Sequence, residues 1–207
     1  MLNTVDSDTW LQTRCSAFVG FRRISAGSIL SVVPKVKSYK DRNSNSAVLI
    51  FDDSTSQVID VDFRGTDDEV LDRLIRRSAQ APATDNLLVS INREQHTPGR
   101  PKLGVVAREV TLLPRHWEWL SRQPGGASVA LRKLVEEARK MNSDKDAVRM
   151  AQETTYRFMS AIAGDLPGFE EALRALFAGN SLKFVSTIDD WPADVRDHTL
   201  RIADGAF

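Results

Sequence analysis

The stretch VVAREVTLLPRHWEWLSRQPGGASVALRKLVEEARKM (residues 105–141) changes its hydrophobic period twice. From Val105 to Leu113 the period is two, which predicts a strand. Val106, Arg108, Val110 and Leu112 then share one face, and Ala107, Glu109, Thr111 and Leu113 share the other. Pro114 ends that strand and opens a helix, because its fixed φ suits a first helical turn where its missing N–H is not needed. The helix is expected from Pro114 to Gln123, with Trp117 and Leu120 facing inward, until Pro124-Gly125-Gly126 breaks it. A second helix is expected from Ala127 to Met141, since Leu131, Leu134, Val135 and Ala138 recur at three- and four-residue spacing. Its glycine-rich start and Ser128 leave backbone N–H groups able to receive a phosphate oxygen.

On the N-terminal side, residues 17–33 are β-branched and aromatic and predict two short strands broken by Gly27, the second closed by Pro34. Lys35 to Ser46 is polar and predicts an exposed loop. Val48 to Phe51 and Gln57 to Phe63 predict a hairpin around Asp52-Asp53-Ser54-Thr55-Ser56, residues whose side chains bond nearby backbone. In the returning strand Ile59, Val61 and Phe63 alternate with Asp60 and Asp62, so one face is buried. Thr66-Asp67-Asp68-Glu69 supplies a hydroxyl and, three places on, a carboxylate: a capping box for a helix to about Arg77, with Val70, Leu71, Leu74 and Ile75 on one side. Residues 78–103 predict a linker containing a short strand, Leu87 to Ile91, and a proline-dense basic arm with Arg100 and Lys102.

On the C-terminal side, short helices are expected over 147–164, from Asp165-Leu166-Pro167 through Phe177, over 181–188, and from an Asp190-Trp191-Pro192 start to about Ala203. Tyr156, Phe158, Phe169, Phe177, Phe184 and Trp191 read as the core of that bundle. The expected fold is therefore α+β. It has a small N-terminal antiparallel β-sheet with one helix (1–77), the linker (78–103), a central strand-helix-helix unit (104–141) and a C-terminal bundle of short helices (142–207).

The chain has 207 residues, of which 42% are hydrophobic, enough to form a core without a covalent staple. One cysteine, Cys15, cannot form an internal disulfide and reads as a small apolar filler. The first ten residues lack the basic start and apolar stretch of a signal peptide, and no run is long and apolar enough to span a membrane, so a cytoplasmic protein is expected. Lys plus Arg and Asp plus Glu number 28 each, but they are unevenly placed. Residues 98–141 hold nine basic and four acidic side chains, net +5, whereas residues 142–207 hold seven and eleven, net −4. A basic middle beside an acidic end suggests a polyanion as partner.

The central strand, proline-started helix, glycine turn and amphipathic helix resemble the ribbon-helix-helix repressors. In that family two chains pair their strands into an antiparallel ribbon that enters the DNA major groove, and the start of the second helix grips phosphate. The resemblance implies that Glu109 and Thr111, with Arg108, read base edges, and that Gly126, Ala127 and Ser128 clamp phosphate. The basic arm Arg100 and Lys102 would add contacts that position without specifying, and Arg132 and Lys133 are further candidate nucleic-acid contacts. It further implies a homodimer with double-stranded DNA as partner. The whole chain is also similar to a bacterial family of uncharacterised function, on Gly-Arg-Pro-Lys-Leu-Gly-Val-Val-Ala-Arg-Glu-Val-Thr-Leu-Leu-Pro-Arg-His-Trp (99–117), Leu-Pro-Gly-Phe-Glu-Glu-Ala (166–172) and Trp-Pro-Ala-Asp-Val-Arg-Asp-His (191–198). That similarity implies no activity.

Enzymatic signals are sparse. Asp60 and Asp62 share a strand face and, with Asp52 and Asp53, invite a hard cation, but an exposed polar face explains them. His96, His116 and His198 have no metal-ligand spacing, and Arg196-Asp197-His198 reads as surface. No nucleophile elbow, phosphate loop or dinucleotide fingerprint occurs. Neither cofactor nor metal nor catalysis is expected. The reading is a DNA-binding regulator; the competitor is a non-enzymatic interaction protein whose basic middle docks its own acidic tail, and an enzyme of unrecognised type comes third.

Overall fold

A computed structural model describes residues 10–44, 46–80 and 108–207. The architecture is α+β, with an N-terminal three-stranded antiparallel sheet followed by a mostly helical chain. It divides into two compact units, Met1–Asp85 with Lys145–Phe207 and Asn86–Asp144. The expected strand Leu87 to Ile91 and the arm with Arg100 and Lys102 lie outside the described residues.

The first unit is organised by β1 (Arg14–Val19), β2 (Arg22–Ser28) and β3 (Leu49–Asp52), in the order β2-β1-β3. Arg14 pairs with Ser28 and Val19 with Arg22, with a bulge between Ala17 and Phe18; on the other edge Cys15 pairs with Asp52 and Phe18 with Leu49. Cys15, Ser16, Ala17 and Phe18 are all buried, because helices cover both faces of this central strand. Alternation sends Cys15, Ala17 and Ile50 into one hydrophobic layer and Phe18 and Phe51 into the other.

The first layer is supplied by α1 (Ile29–Arg42) and α2 (Asp67–Gln80), so two helices serve the sheet instead of the expected one. Residues 29–33 are helical where a second strand was expected, and Pro34 lies inside α1 instead of closing a strand. Ile29, Val32, Val33 and Val36 fall at i, i+3, i+4 and i+7, and all are buried against the sheet. Burial of that stripe outweighs the local β preference of its side chains and the hydrogen bond that Pro34 forfeits. The expected loop from Lys35 is accordingly helix as far as Arg42, with the Lys37 ammonium 2.5 Å from Asp41 one turn on.

The 52–56 turn forms as expected. The Asp52 carboxylate accepts from Ser54 N at 2.7 Å and Ser54 Oγ at 2.6 Å, and Asp52 N donates to Gln57 O at 2.9 Å. The returning arm is not a strand, for only Val58 bridges back, to Phe51. Ile59, Val61 and Phe63 nevertheless pack against the α1 and α2 layer while Asp60 and Asp62 stay exposed. The capping box closes α2: Thr66 N donates to Glu69 Oε2 at 2.8 Å and Glu69 N to Thr66 Oγ1 at 3.3 Å. Val70 and Leu74 are buried, whereas Ile75 is exposed.

The chain after residue 108 contributes α3 (Pro114–Ser121), α4 (Gly126–Ile162), α5 (Phe169–Phe177), α6 (Ser181–Thr187) and α7 (Ala193–Ile202). The two helices expected over 127–141 and 147–164 are a single 37-residue helix, α4. No proline or glycine interrupts residues 142–146, so nothing stops hydrogen bonding from continuing through that polar stretch. Helix starts also differ from expectation. Left-handed Gly168 caps α5 and Pro192 caps α7, leaving Asp165 and Asp190 outside both. Phe158, Phe184 and Trp191 are buried as expected, while Tyr156 and Phe177 are exposed and meet at a tilt of 57°, their ring centres 6.0 Å apart. Phe158 and Met159 of α4, with Leu176, Phe184 and Val195, form the second layer over Phe18 and Phe51.

Candidate nucleic-acid interface

Within the second unit, Arg108 to Leu113 belongs to no strand among the described residues, a correction to the expected Val105–Leu113 strand. Nor does its burial alternate: Arg108, Glu109, Val110 and Thr111 are all exposed, Leu112 is half-buried and Leu113 is exposed again. A strand of period two takes its shape from a neighbour's ladder, and the described part of this chain offers none. Leu113, extended at φ −66° and ψ 149°, then turns the backbone into α3, where Pro114 occupies the first helical position. Leu120 is buried, while Trp117 and Trp119 are exposed on either side of it.

After α3, Gly126 N donates to Gln123 O at 2.9 Å, and Gly125 and Gly126 both take left-handed conformations, φ 83° and 73°. A side chain at Gly125 would press on Val129, whose three outer carbons stand 3.1 to 3.2 Å from a Cβ placed there. Glycine is therefore needed to turn the chain into α4. Gly126 and Ala127 are half-buried and Ser128 is exposed, so the expected phosphate clamp is within reach of solvent. Arg132 folds back along the helix and donates from Nε to Ser128 O at 3.0 Å.

Arg132 and Lys133, with Glu136, Glu137 and Lys140, line an open recess of about 410 Å³. Three cations and two carboxylates make it only weakly positive, and Glu136 is already engaged by Arg139 at 3.2 Å. The structure thus brings Arg132 and Lys133 together on one helix with Gly126, Ala127 and Ser128 a turn away, and exposes Arg108, Glu109 and Thr111 on the preceding segment. Arg100 and Lys102 are outside the described residues.

The groups set aside in the first unit sort differently. Asp62 is committed to Arg64, through a two-pronged contact at 2.9 Å that holds its carboxyl well below the usual range. Among the described residues no three His, Cys, Asp or Glu side chains gather as a metal-binding group. Cys15 is sealed, and burial, followed by the charges of Asp53 and Asp52, pushes its thiol up to about 12. His198 corrects the surface reading of Arg196-Asp197-His198: Arg196 and Asp197 pair with each other at 3.1 Å, but the imidazole is fully buried. The available signal was the stripe Val195, His198, Thr199 and Ile202 at i, i+3, i+4 and i+7, every member of which is buried.

A family model described as "Uncharacterized protein conserved in bacteria (DUF2239)" matches residues 14–203. The chain belongs to that family. The match runs from the first residue of β1 to just beyond α7, so DUF2239 takes in both units, and the sequence similarity to an uncharacterised bacterial family is borne out. No curated protein and no solved structure matches the chain. No helix among the described residues is long and apolar enough to cross a membrane.

Proposed function

We propose that this DUF2239 protein is a cytoplasmic DNA-binding regulator whose residues 104–141 act as a ribbon-helix-helix-like unit completed by a second copy of the chain. One observation carries the reading. Val110 and Leu113, on a segment that joins no strand among the described residues, are 52% and 49% exposed, and Leu134 and Val135 on α4 are 43% and 64% exposed. Four uncovered apolar side chains within so small a unit support a partner that covers them. A matching segment from a second copy supplies both the missing ladder and the cover, and Glu109 and Thr111 of a paired ribbon would be free to face base edges. The net charge of +5 over residues 98–141 supports a phosphate backbone as the ligand.

The test is solution mass together with gel shift on random duplex. The expected result is a dimer whose affinity for duplex falls steeply with salt. Replacing Lys102, Arg108 and Arg132 by alanine should weaken binding to all sequences alike and lower the salt slope by about three, roughly one per lost phosphate contact. A monomer silent on DNA removes the proposal, as does unchanged binding by the triple variant. A dimer silent on DNA at physiological salt leaves an interaction protein.

A further inference from the structure

His198 sits on α7 with its ring between Phe18 of β1, at 5.2 Å and edge-on, and Phe158 of α4, at 4.3 Å. Its Nδ1 lies 2.8 Å from Arg201 Nη2 one turn on, and Arg201 in turn reaches Asp53 of the 52–56 turn at 3.3 Å. A guanidinium has only donors, so Nδ1 must accept, which fixes the ring as neutral with its proton on Nε2. That Nε2–H is buried and finds no hydrogen-bond partner among the described residues.

The charged groups around the ring come from three elements. Arg201 on α7 and Arg23 on β2 oppose a positive imidazole, and Asp53 alone favours one. Asp194 of α7 is occupied by the backbone N–H of Arg23 at 2.9 Å. Phe18 and Phe158 contribute no charge, and the ring itself has no exposure. Burial first, and the Arg201 charge second, bring its pKa down from 6.5 to about 4.

We propose that His198 is an acid-operated latch: when the ring takes up a proton, α7 and the chain that follows it leave the sheet. The proton has one place to go besides the occupied Nε2, which is Nδ1. An Nδ1–H points at the Arg201 guanidinium, turning a hydrogen bond into a clash of two donors and two cations in a dry site. On the sheet side α7 is seated by Val195 and Ile202, which share the apolar core with Phe18 and Phe51, by Arg23 N to Asp194, by Arg201 to Asp53 and by the His198 ring; His198 and Arg201 both belong to this helix, so the opposition falls on it. Its departure uncovers Phe18 and Phe158, an aromatic surface otherwise fully buried.

The sign follows from linkage. The folded pKa lies below the unfolded one, so the stabilisation is complete above about 6.5 and is lost as pH falls toward about 4. The open form binds one proton more than the closed form across that window, so the opening constant rises about tenfold per pH unit. The experiment is amide exchange read by mass spectrometry on the full chain from pH 7.5 to 4.5, corrected for intrinsic exchange. Peptides within 193–207 should lose protection at that slope below pH 6.5, ahead of peptides from β1 and β3, and His198→Gln should flatten the dependence. If the glutamine variant fails to fold, His198→Phe keeps a ring between the two phenylalanines and serves the same purpose. A flat wild-type profile overturns the latch, as does a slope retained by the variant or simultaneous opening of the sheet.

Discussion

Phe158 touches Phe18 at 5.3 Å, Phe51 at 5.1 Å and His198 at 4.3 Å, so one ring ties α4 to two strands and to α7. Truncating it leaves a cavity walled by three elements that cannot all close in. Phe158→Ala should cost about 3–5 kcal/mol, read as a fall in the urea midpoint with an unchanged slope. That Phe158 belongs to a core was legible from its place among helically spaced apolar residues, and Cys15 was legible as a filler from the lack of any partner motif. For His198 the stripe of α7 signals an inward face, but a histidine there looks the same in sequence whether its ring is sealed between two phenylalanines or lies at a margin. Only the distant strand that brings Phe18 to it decides the matter.

Among elements, those with chemical punctuation could be read and those defined by tertiary cover could not. The α2 start is written in Thr66 and Glu69, and both reciprocal hydrogen bonds are present. Thr66→Ala should therefore cost about 1 kcal/mol, measured by thermal or urea unfolding, with Thr66→Ser close to neutral. In α1 the side chains favour a strand and Pro34 argues against a helix, yet Ile29, Val32, Val33 and Val36 reach the sheet together only when wound at 3.6 residues per turn. The evidence for that helix lies in Cys15, Ala17 and Ile50, which a local window does not contain. Arg108 to Leu113 errs the other way, since its alternation is genuine but a ladder needs a second edge.

Across the molecule, both units leave apolar side chains in solvent, Ile75, Tyr156 and Phe177 among them in the first. The first wraps β1 on both faces, and the second leaves Leu134 and Val135 in solvent. On the proposed pairing of two chains, Leu134→Asp combined with Val135→Asp should leave the first unit folded, with unchanged helical circular dichroism, and give the solution mass of one chain. A double variant that remains dimeric would place the contact elsewhere. The candidate interface was legible as a composition of glycines, cations and period changes between residues 98 and 141. Its recess was not, because whether Glu136 and Glu137 offset Arg132, Lys133 and Lys140 depends on which side chains share a helix face.

Cys15 is the sole thiol in the sequence and is sealed between the sheet and α1. An alkylating reagent can reach its sulfur only in molecules whose α1 has parted from β1, so the speed of labelling is a clock for that parting. For the same reason the intact fold is protected from oxidative cross-linking of one chain to another, and a disulfide-linked pair in a preparation would mark protein that had opened first.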